Sequence, residues 1–338
     1  MVRTCTALLL AVIAAAPAHA QTGAAATTDP ALQPVLEKMA QYVATYGEKA
    51  SLFVGVEKYT QNVTFSGQMA PAAPRRLVAE FAIVKAPGDI GWIGYRDVVE
   101  FDGDKVSDRR DRLVSILTDM SADSSVVTKL ASESARYNIG PISRNFNTPT
   151  STLFFFYPAN LPRFLFTKKD TKKIAGIDTW EITFKETKFP TIVKTRSGKD
   201  VPLEGTLWVS PADGAILKSR LTMRNFADQY SQGGTQSNPA PRPAVNPNTP
   251  TGGREALGMG AMGDVLDFQR IDTLADIEVT YARNEKFGVW LPDKMTEMYS
   301  GPLKPQVGKP PVTGTATTKA TYSDFKQFDT GVKINIPK

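Results

Sequence analysis

In the segment Asp178-Thr179-Trp180-Glu181-Ile182-Thr183-Phe184-Lys185, the apolar side chains of Trp180, Ile182 and Phe184 alternate strictly with polar ones. Successive side chains of a strand point to opposite faces, so this period of two describes a strand with one packed face and one wet face. The pattern recurs and predicts strands over 51–63, 75–86, 91–102, 162–169, 173–187, 203–210, 214–225, 268–283, 287–299 and 312–328. Short turn signals join several of them, such as Pro87-Gly88-Asp89 and Ser210-Pro211-Ala212-Asp213-Gly214. Strands joined that tightly run antiparallel. A sheet of about ten such strands twists and curls, and its apolar face needs a cover.

Helices supply the cover. Residues 30–46 place Leu32, Val35, Leu36, Met39, Ala40 and Val43 on one helical face, with Asp29 as cap and Pro30 at the first helical position. A second helical block spans roughly 107–137, with Leu113, Ile116, Leu117, Val126, Val127, Leu130 and Ala131 at helical spacing. The densest aromatic stretch follows, Thr152-Leu153-Phe154-Phe155-Phe156-Tyr157-Pro158 and then Leu161-Pro162-Arg163-Phe164-Leu165-Phe166. Those rings either fill the space between sheet and helices or line a cavity for an acyl chain.

Composition narrows the chemistry. The only histidine, His19, and the only cysteine, Cys5, lie in the first twenty residues. Those residues have a secretory pattern: Arg3, the apolar run Ala7 to Ala16, and Ala18-His19-Ala20 as a small-x-small cleavage site before Gln21. Cleavage after Ala20 leaves an exported chain without imidazole or thiol. Ser-His-Asp and Cys-His catalysis, imidazole or thiolate metal sites and internal disulfides are then excluded. Cys5 stands upstream of the cleavage site instead of directly after it, so no lipid anchor is expected, and no later run is long and apolar enough to span a membrane.

The formal net charge of +6 is mild and spread along the chain, with Arg109-Arg110 and Lys168-Lys169 with Lys172-Lys173 as local clusters beside aspartates. A solvated face or a patch for anionic headgroups explains it, and nucleic acid is not expected as a partner. Residues 21–29 form an Ala/Thr/Gly leader, and 229–263 a Pro/Gly/Asn-rich insertion expected to be disordered. The domain reading is therefore one domain over 30–338, interrupted by that insertion.

Motif matches are weak. Gly258-Met259-Gly260-Ala261-Met262-Gly263 spells a dinucleotide fingerprint, but no strand leads into it. Asp102-Gly103-Asp104 with Asp108 could hold a hard cation, yet Asp and Gly there are ordinary turn and cap residues. Ser323 and Lys326 spell S-x-x-K, which on a strand puts the two groups on opposite faces. No catalytic group, metal or cofactor is assigned, and a carboxylate pair of glycosidase type stays open as an alternative.

The order of one helix, three strands, helices and then the remaining strands resembles the LolA/LolB-like proteins of the bacterial periplasm, which carry and sort outer-membrane lipoproteins. Leu207-Trp208-Val209-Ser210-Pro211-Ala212-Asp213-Gly214, Gly288-Val289-Trp290-Leu291-Pro292 with Met295, and Ala320-Thr321-Tyr322-Ser323-Asp324-Phe325 add to the likeness. The resemblance implies a mainly β (α+β) fold: a curved antiparallel half-barrel with helices as a lid over a hydrophobic hollow. It further implies a non-enzymatic carrier whose partners are lipid or lipoprotein acyl chains, with membrane-associated envelope proteins as further partners. A structural envelope protein with a filled core is the alternative. Large side chains chosen for the hollow are Phe81, Trp92, Phe154, Phe155, Phe156, Phe164, Trp180 and Trp208. In the carriers an arginine inside the hollow holds the lid. Arg96, which shares strand parity with Trp92, Gly94 and Val98, is the candidate for that part, with a solvent-facing arginine as the other possibility.

Overall fold

The structure, a computed structural model, describes residues 29–50, 53–67, 69–85, 92–107, 125–140, 144, 147–195, 198–225, 273–303 and 312–327. The export segment and the 229–263 insertion lie outside them, as does most of the first half of the 107–137 helical block.

A 3-10 turn, Pro30–Leu32, opens the chain, with the Asp29 carboxylate accepting from the Ala31 N–H at 2.9 Å. It leads into helix α1, Gln33–Ala50, whose buried side includes Val35, Leu36, Met39, Val43 and Tyr46 at i, i+3/i+4 spacing. Three strands follow, β1 (Phe53–Phe65), β2 (Arg75–Lys85) and β3 (Trp92–Phe101), with a two-residue β4 (Asp104–Lys105). Helices α2 (Ser125–Ser134) and α3 (Ser151–Phe154) and a 3-10 stretch, Pro158–Arg163, come next. The rest is β: β5 (Phe164–Ile174), β6 (Ile177–Glu186), a small separate pair β7 (Val193–Lys194) and β8 (Asp200–Val201), then β9 (Leu203–Val209), β10 (Ile216–Arg224), β11 (Leu274–Asn284), β12 (Val289–Pro302) and β13 (Thr313–Gln327).

Eleven strands form one antiparallel sheet in the order β4-β3-β2-β1-β13-β12-β11-β10-β9-β6-β5. The sheet is open, with β4 and β5 as its two ends, and its long-range closure is the pairing of β1 with β13, where Glu57 stands opposite Tyr322 and Tyr59 opposite Ala320. Alternation sorts the faces. On β10 the buried Ser219, Leu221 and Met223 interleave with Lys218, Arg220, Thr222 and Arg224, and β11 buries Ala275, Ile277, Val279 and Tyr281. These positions, the apolar side of α1 and the aromatic stretch make one continuous core. Each fully buried Leu, Ile, Val or Phe of that core adds about 1.5–3 kcal/mol, which is how a chain without disulfides among these residues holds its shape.

The expected boundary between β5 and β6 is corrected. Asp170-Thr171-Lys172, between the strands expected over 162–169 and 173–187, continues β5 as an exposed edge strand. The true turn is Ala175-Gly176, where φ is +47° and +81°. Two consecutive positive φ values give a tight turn that matches the strand twist. Asp102-Gly103, with φ of +50° and +97°, turns β3 into β4 in the same manner, and the Asp102 carboxylate accepts from the Arg76 N–H at 2.7 Å and from Arg75 Nε at 3.0 Å.

Helix α1 sits directly on the β9–β10 turn. Lys38 Nζ donates to the carbonyls of Pro211 and Ala212, both at 3.1 Å, and Gly214 (φ +75°) lies so close that a Cβ there would stand 2.2 Å from the Lys38 carbonyl carbon. Gly214→Ala is therefore expected to cost more than about 1 kcal/mol, read as a lower midpoint in urea unfolding. An unchanged midpoint would contradict this seat for α1.

Candidate functional site

On β1 the residues facing the helices are Gly55, Glu57, Tyr59, Gln61 and Val63, so three successive positions of a central strand present polar groups to the covered face. Burial of such groups without partners is expensive, and their partners define the site. Arg96 on β3 is fully buried and forms a two-pronged ion pair with Glu57: its Nε bonds one carboxylate oxygen and its Nη2 the other at 2.7 Å. The Tyr322 hydroxyl donates to the same carboxylate at 2.6 Å, and the Arg96 guanidinium stacks 4.3 Å from the centre of the Tyr59 ring. A second carboxylate, Glu297 on β12, accepts from Tyr59 and Tyr299 hydroxyls at 2.6 Å each and from the hydroxyl of Thr318.

Residues 137–140, 144 and 147–150, between α2 and α3, lie across this polar strip as a roof. Arg96 Nη2 donates to the Asn147 carbonyl at 2.9 Å, and Asn147 Nδ2 donates to the Tyr59 hydroxyl at 3.1 Å. Gln61 donates to the Tyr137 carbonyl and accepts from the Ile139 N–H, both at 3.0 Å, and Arg144 Nη2 reaches its oxygen at 2.6 Å. The buried Arg144 guanidinium also stacks 4.9 Å from the Tyr299 ring centre. Farther along, the Tyr281 hydroxyl donates to the Pro149 carbonyl at 2.7 Å. At the sheet margin, the Arg96 N–H donates to Ser134 Oγ at 3.0 Å, which ties the end of α2 to the backbone of β3.

Burial pushes the Tyr59 hydroxyl up to about 12, and the neighbouring Glu297 charge adds to the rise. Tyr299 and Tyr322 are likewise raised, by burial first and then by Glu297 and Glu57 respectively. For Arg96, burial works against the charge, but Glu57 more than offsets it and holds the guanidinium above its ordinary value. At neutral pH the strip thus contains cationic arginines and neutral phenols that donate.

Around this strip the structure places the other expected residues in separate groups. Trp92 is buried, with Tyr46 of α1 at 5.5 Å and Phe154 at 6.3 Å between ring centres, and Phe155 meets Phe154 at 6.2 Å. A second bank holds Phe156 and Phe164, which pack with Phe166 and Phe184 at 4.8–6.1 Å. Phe81 is buried edge-on to Tyr322 at 5.5 Å, paired across the strands with Arg96. Trp180 stays on the covered side but is half-buried near the β5–β6 turn, beneath Lys168 Nζ at 3.7 Å. Trp208 is a correction: it falls between the buried Leu207 and Val209, and so points to the outer face, where Lys218 stands over its ring and its Nε1 donates to Glu181 at 3.3 Å. Arg96 faces the helices and not solvent.

Residues overlooked in the sequence are Glu57, Tyr59, Gln61, Asn147, Arg144 and Glu297. The middle of the covered face is polar where a hydrophobic hollow had been expected, with apolar rings on both flanks. Among the described residues, no group of three His, Cys, Asp or Glu side chains is placed to hold a metal ion, and no helix is long and apolar enough to cross a membrane.

No protein-family model matches the chain, and no curated protein matches its sequence. Solved structures do. A domain assigned to an outer membrane lipoprotein-sorting protein of Vibrio parahaemolyticus aligns over 89% of this chain and 94% of its own, at 12% identity and a TM-score of 0.35. A DUF1329 family protein from Desulfovibrio piger aligns over 90% and 95%, at 10% identity and 0.31, and a LolA superfamily protein from Nitrosomonas europaea over 86% and 94%, at 10% identity and 0.27. The open antiparallel sheet with helices over one face agrees with the mainly β fold expected from the sequence. TM-scores this low leave any conclusion about function to the residues of the chain itself.

Removing one member of a buried ion pair strands the other charge, so Glu57→Gln or Arg96→Met alone is expected to cost about 3–5 kcal/mol, while the double variant recovers much of that loss in urea unfolding. Equal, additive losses would show that the two groups do not act as a pair. Alkaline pH offers a second test. A phenol raised from 10.0 to about 12 adds stability that is full below pH 10 and is lost as pH rises toward 12, so Tyr59→Phe should flatten the fall in stability over that window.

Proposed function

We propose that this chain is an exported, periplasmic, non-enzymatic binding protein that takes a lipid, or the acyl chains of a lipoprotein, between the sheet and its helical cover. One observation supports this reading above the others: the roof residues 137–140, 144 and 147–150 are tied by hydrogen bonds to a polar strip, while the rings on either side belong to the sheet, to α1 and to the aromatic stretch. Lifting the roof leaves Glu57 and Arg96 paired with each other, because both sit on strands. Arg144 is the one charged side chain among the roof's described residues to lose a buried seat, and it leaves with the roof into water. The motion therefore breaks hydrogen bonds worth about 0.5–1.5 kcal/mol each instead of stranding a charge in the core.

An acyl chain laid against the exposed aromatics returns about 0.8 kcal/mol per buried CH₂, so a sixteen-carbon chain offers roughly 12 kcal/mol before ordering costs. Capture and release then follow from the populations of closed and lifted roofs, without catalysis. A second reading, an envelope protein with a filled core, is favoured by the ring-to-ring contacts of both aromatic banks in this closed form.

Native mass spectrometry of the full chain purified from a membrane-containing host separates the two. The carrier reading expects retained lipid, a lipid-bound fraction that falls about tenfold in Trp92→Ala, equivalent to about 1.4 kcal/mol, and no change in Trp208→Ala on the outer face. Protein free of lipid under conditions where vesicles are offered in excess would support the filled-core reading instead.

A further inference from the structure

The loop that follows β6 holds an apolar ring in water. Phe189 is 65% exposed, the most exposed large apolar side chain among the described residues. A loop free to move would lay such a ring on the nearest apolar surface, because burying it is favourable. This loop is not free. Arg163, the last residue of the 3-10 stretch, donates from Nη2 to the carbonyls of Lys188, at 3.2 Å, and of Pro190, which stand on either side of Phe189. Its Nε bonds the buried Glu186 carboxylate at 3.0 Å, and that carboxylate also accepts from the Ile192 N–H at 2.9 Å. The Thr187 N–H closes one end of the loop on the Arg163 carbonyl at 2.8 Å, and the Thr191 N–H closes the other on Asp200 at 2.8 Å. The polar bonds thus fix the backbone on both sides of a ring that packs on nothing large.

The surroundings of Phe189 are basic. From 185 to 201 the sequence has Lys185, Lys188, Lys194, Arg196 and Lys199 against Glu186 and Asp200, a net of +3 where the whole chain has +6. Glu186 is buried against Arg163, whereas Lys185, Lys188, Lys194 and Lys199 are exposed. The small β7–β8 pair, which carries Lys194, is joined to the Phe189 loop through Thr191, whose hydroxyl lies 3.0 Å from Asp200 and accepts from the Val201 N–H at 3.0 Å. β1 and β6 run in the same direction in the antiparallel order, so the loop after β1, with its exposed Met69, opens at the same end of the sheet.

We infer that this end of the sheet docks on the surface of an anionic phospholipid bilayer, with Phe189 between headgroups and acyl chains and the lysines around it among the phosphates. One ring gives only a weak, reversible contact, which neighbouring cations reinforce on a negative surface. The brace prepays the ordering of the loop, so docking does not have to. An acidic protein would also meet the charge, but it would need a pocket matched to a ring fixed in place, whereas a fluid bilayer admits the ring in any orientation. Docking requires no guest between sheet and helices, so it stands or falls separately from the carrier reading.

Flotation of the full chain with vesicles of phosphatidylcholine, alone or mixed equally with phosphatidylglycerol, tests this. Partitioning about tenfold stronger onto the anionic vesicles, and lost as salt is added, is expected. Phe189→Ser should weaken it about fivefold while the urea midpoint stays level, because the ring packs on nothing large. Lys188→Gln, Lys194→Gln and Lys199→Gln together should remove the preference for anionic vesicles. The same charge removed at Lys169, Lys172 and Lys173, in the half of β5 away from this loop, should leave it in place. An environment-sensitive fluorophore on Phe189→Cys, in a Cys5→Ser background, should shift to the blue on the anionic vesicles. Equal partitioning onto both vesicles, equal losses from the two lysine sets, or a fluorophore that stays in water while the protein floats overturns the proposal. Failure to float with either vesicle also overturns it, and leaves the ring to a protein partner.

Discussion

A guanidinium and a carboxylate with no access to water sit at the middle of the sheet, and most of the arrangement over the covered face follows from satisfying them. Arg96 and Glu57 come from β3 and β1, separated by β2, so their pairing spans three strands and fixes the stagger of the covered side where the sheet begins. Glu57 has further acceptor capacity, which Tyr322 of β13 uses, and the strand pairing least local in sequence thereby gains a side-chain bond to match its backbone ladder. Nη2 of Arg96 also donates upward to the Asn147 carbonyl, while its Nη1 has no hydrogen-bond partner among the described residues. A pair of this kind adds little net stability compared with well-packed hydrophobic residues. What it supplies is position: an apolar face would accept the roof in many registers, whereas these bonds accept one.

The same logic explains why Glu297, Tyr59, Gln61 and Arg144 form a second cluster beside the first. Gln61 uses both ends of its amide, giving to Tyr137 and taking from Ile139 and Arg144, so one side chain on β1 holds three points of the roof. Tyr59 links the clusters, with its ring under Arg96 and its hydroxyl between Glu297 and Asn147. Two arginines and two carboxylates share the strip, which keeps its charge balanced without any contribution from solvent.

Most of the strands were legible because their alternation survives in the sequence, and nine of the eleven in the main sheet lie within a few residues of the pattern that predicts them. The tenth predicted strand, 162–169, is β5 as well, but cut short: its Lys- and Thr-rich second half has no apolar partner face, and an edge strand exposed on both sides shows no period of two. The cap and first turn of α1 were readable from Asp29 and Pro30 because capping is a local interaction. Trp208 was misplaced because size alone was used to choose it, although Leu207 and Val209 on either side already assign it to the other face. The polar strip was hidden for a different reason. At the start of β1, Phe53, Val54 and Val56 are apolar on both parities, and a register shift between Val54 and Val56 lies in the same place, so no simple alternation shows that Glu57 faces inward. Only partners distant in sequence, Arg96 and Tyr322, make that placement tolerable.

An open sheet of this length has two edges that a barrel would not have, and the polar residues not used at the centre are found there. β4 is only two residues long, which leaves little ladder for another chain to join. At the other end β5 carries Lys168, Lys169, Lys172 and Lys173, and bends at a register shift between Lys168 and Asp170. Charge and bulge together make that edge a poor template for a foreign strand. Openness is thus maintained by different devices in the two regions: solvent-exposed charge on the rim keeps strands away, and buried, hydrogen-bonded charge at the centre holds one segment of the chain in a single place. A sheet built in this way can leave its flanking aromatic surface to be covered by something other than a further strand, which is the physical condition for a guest to compete with the roof.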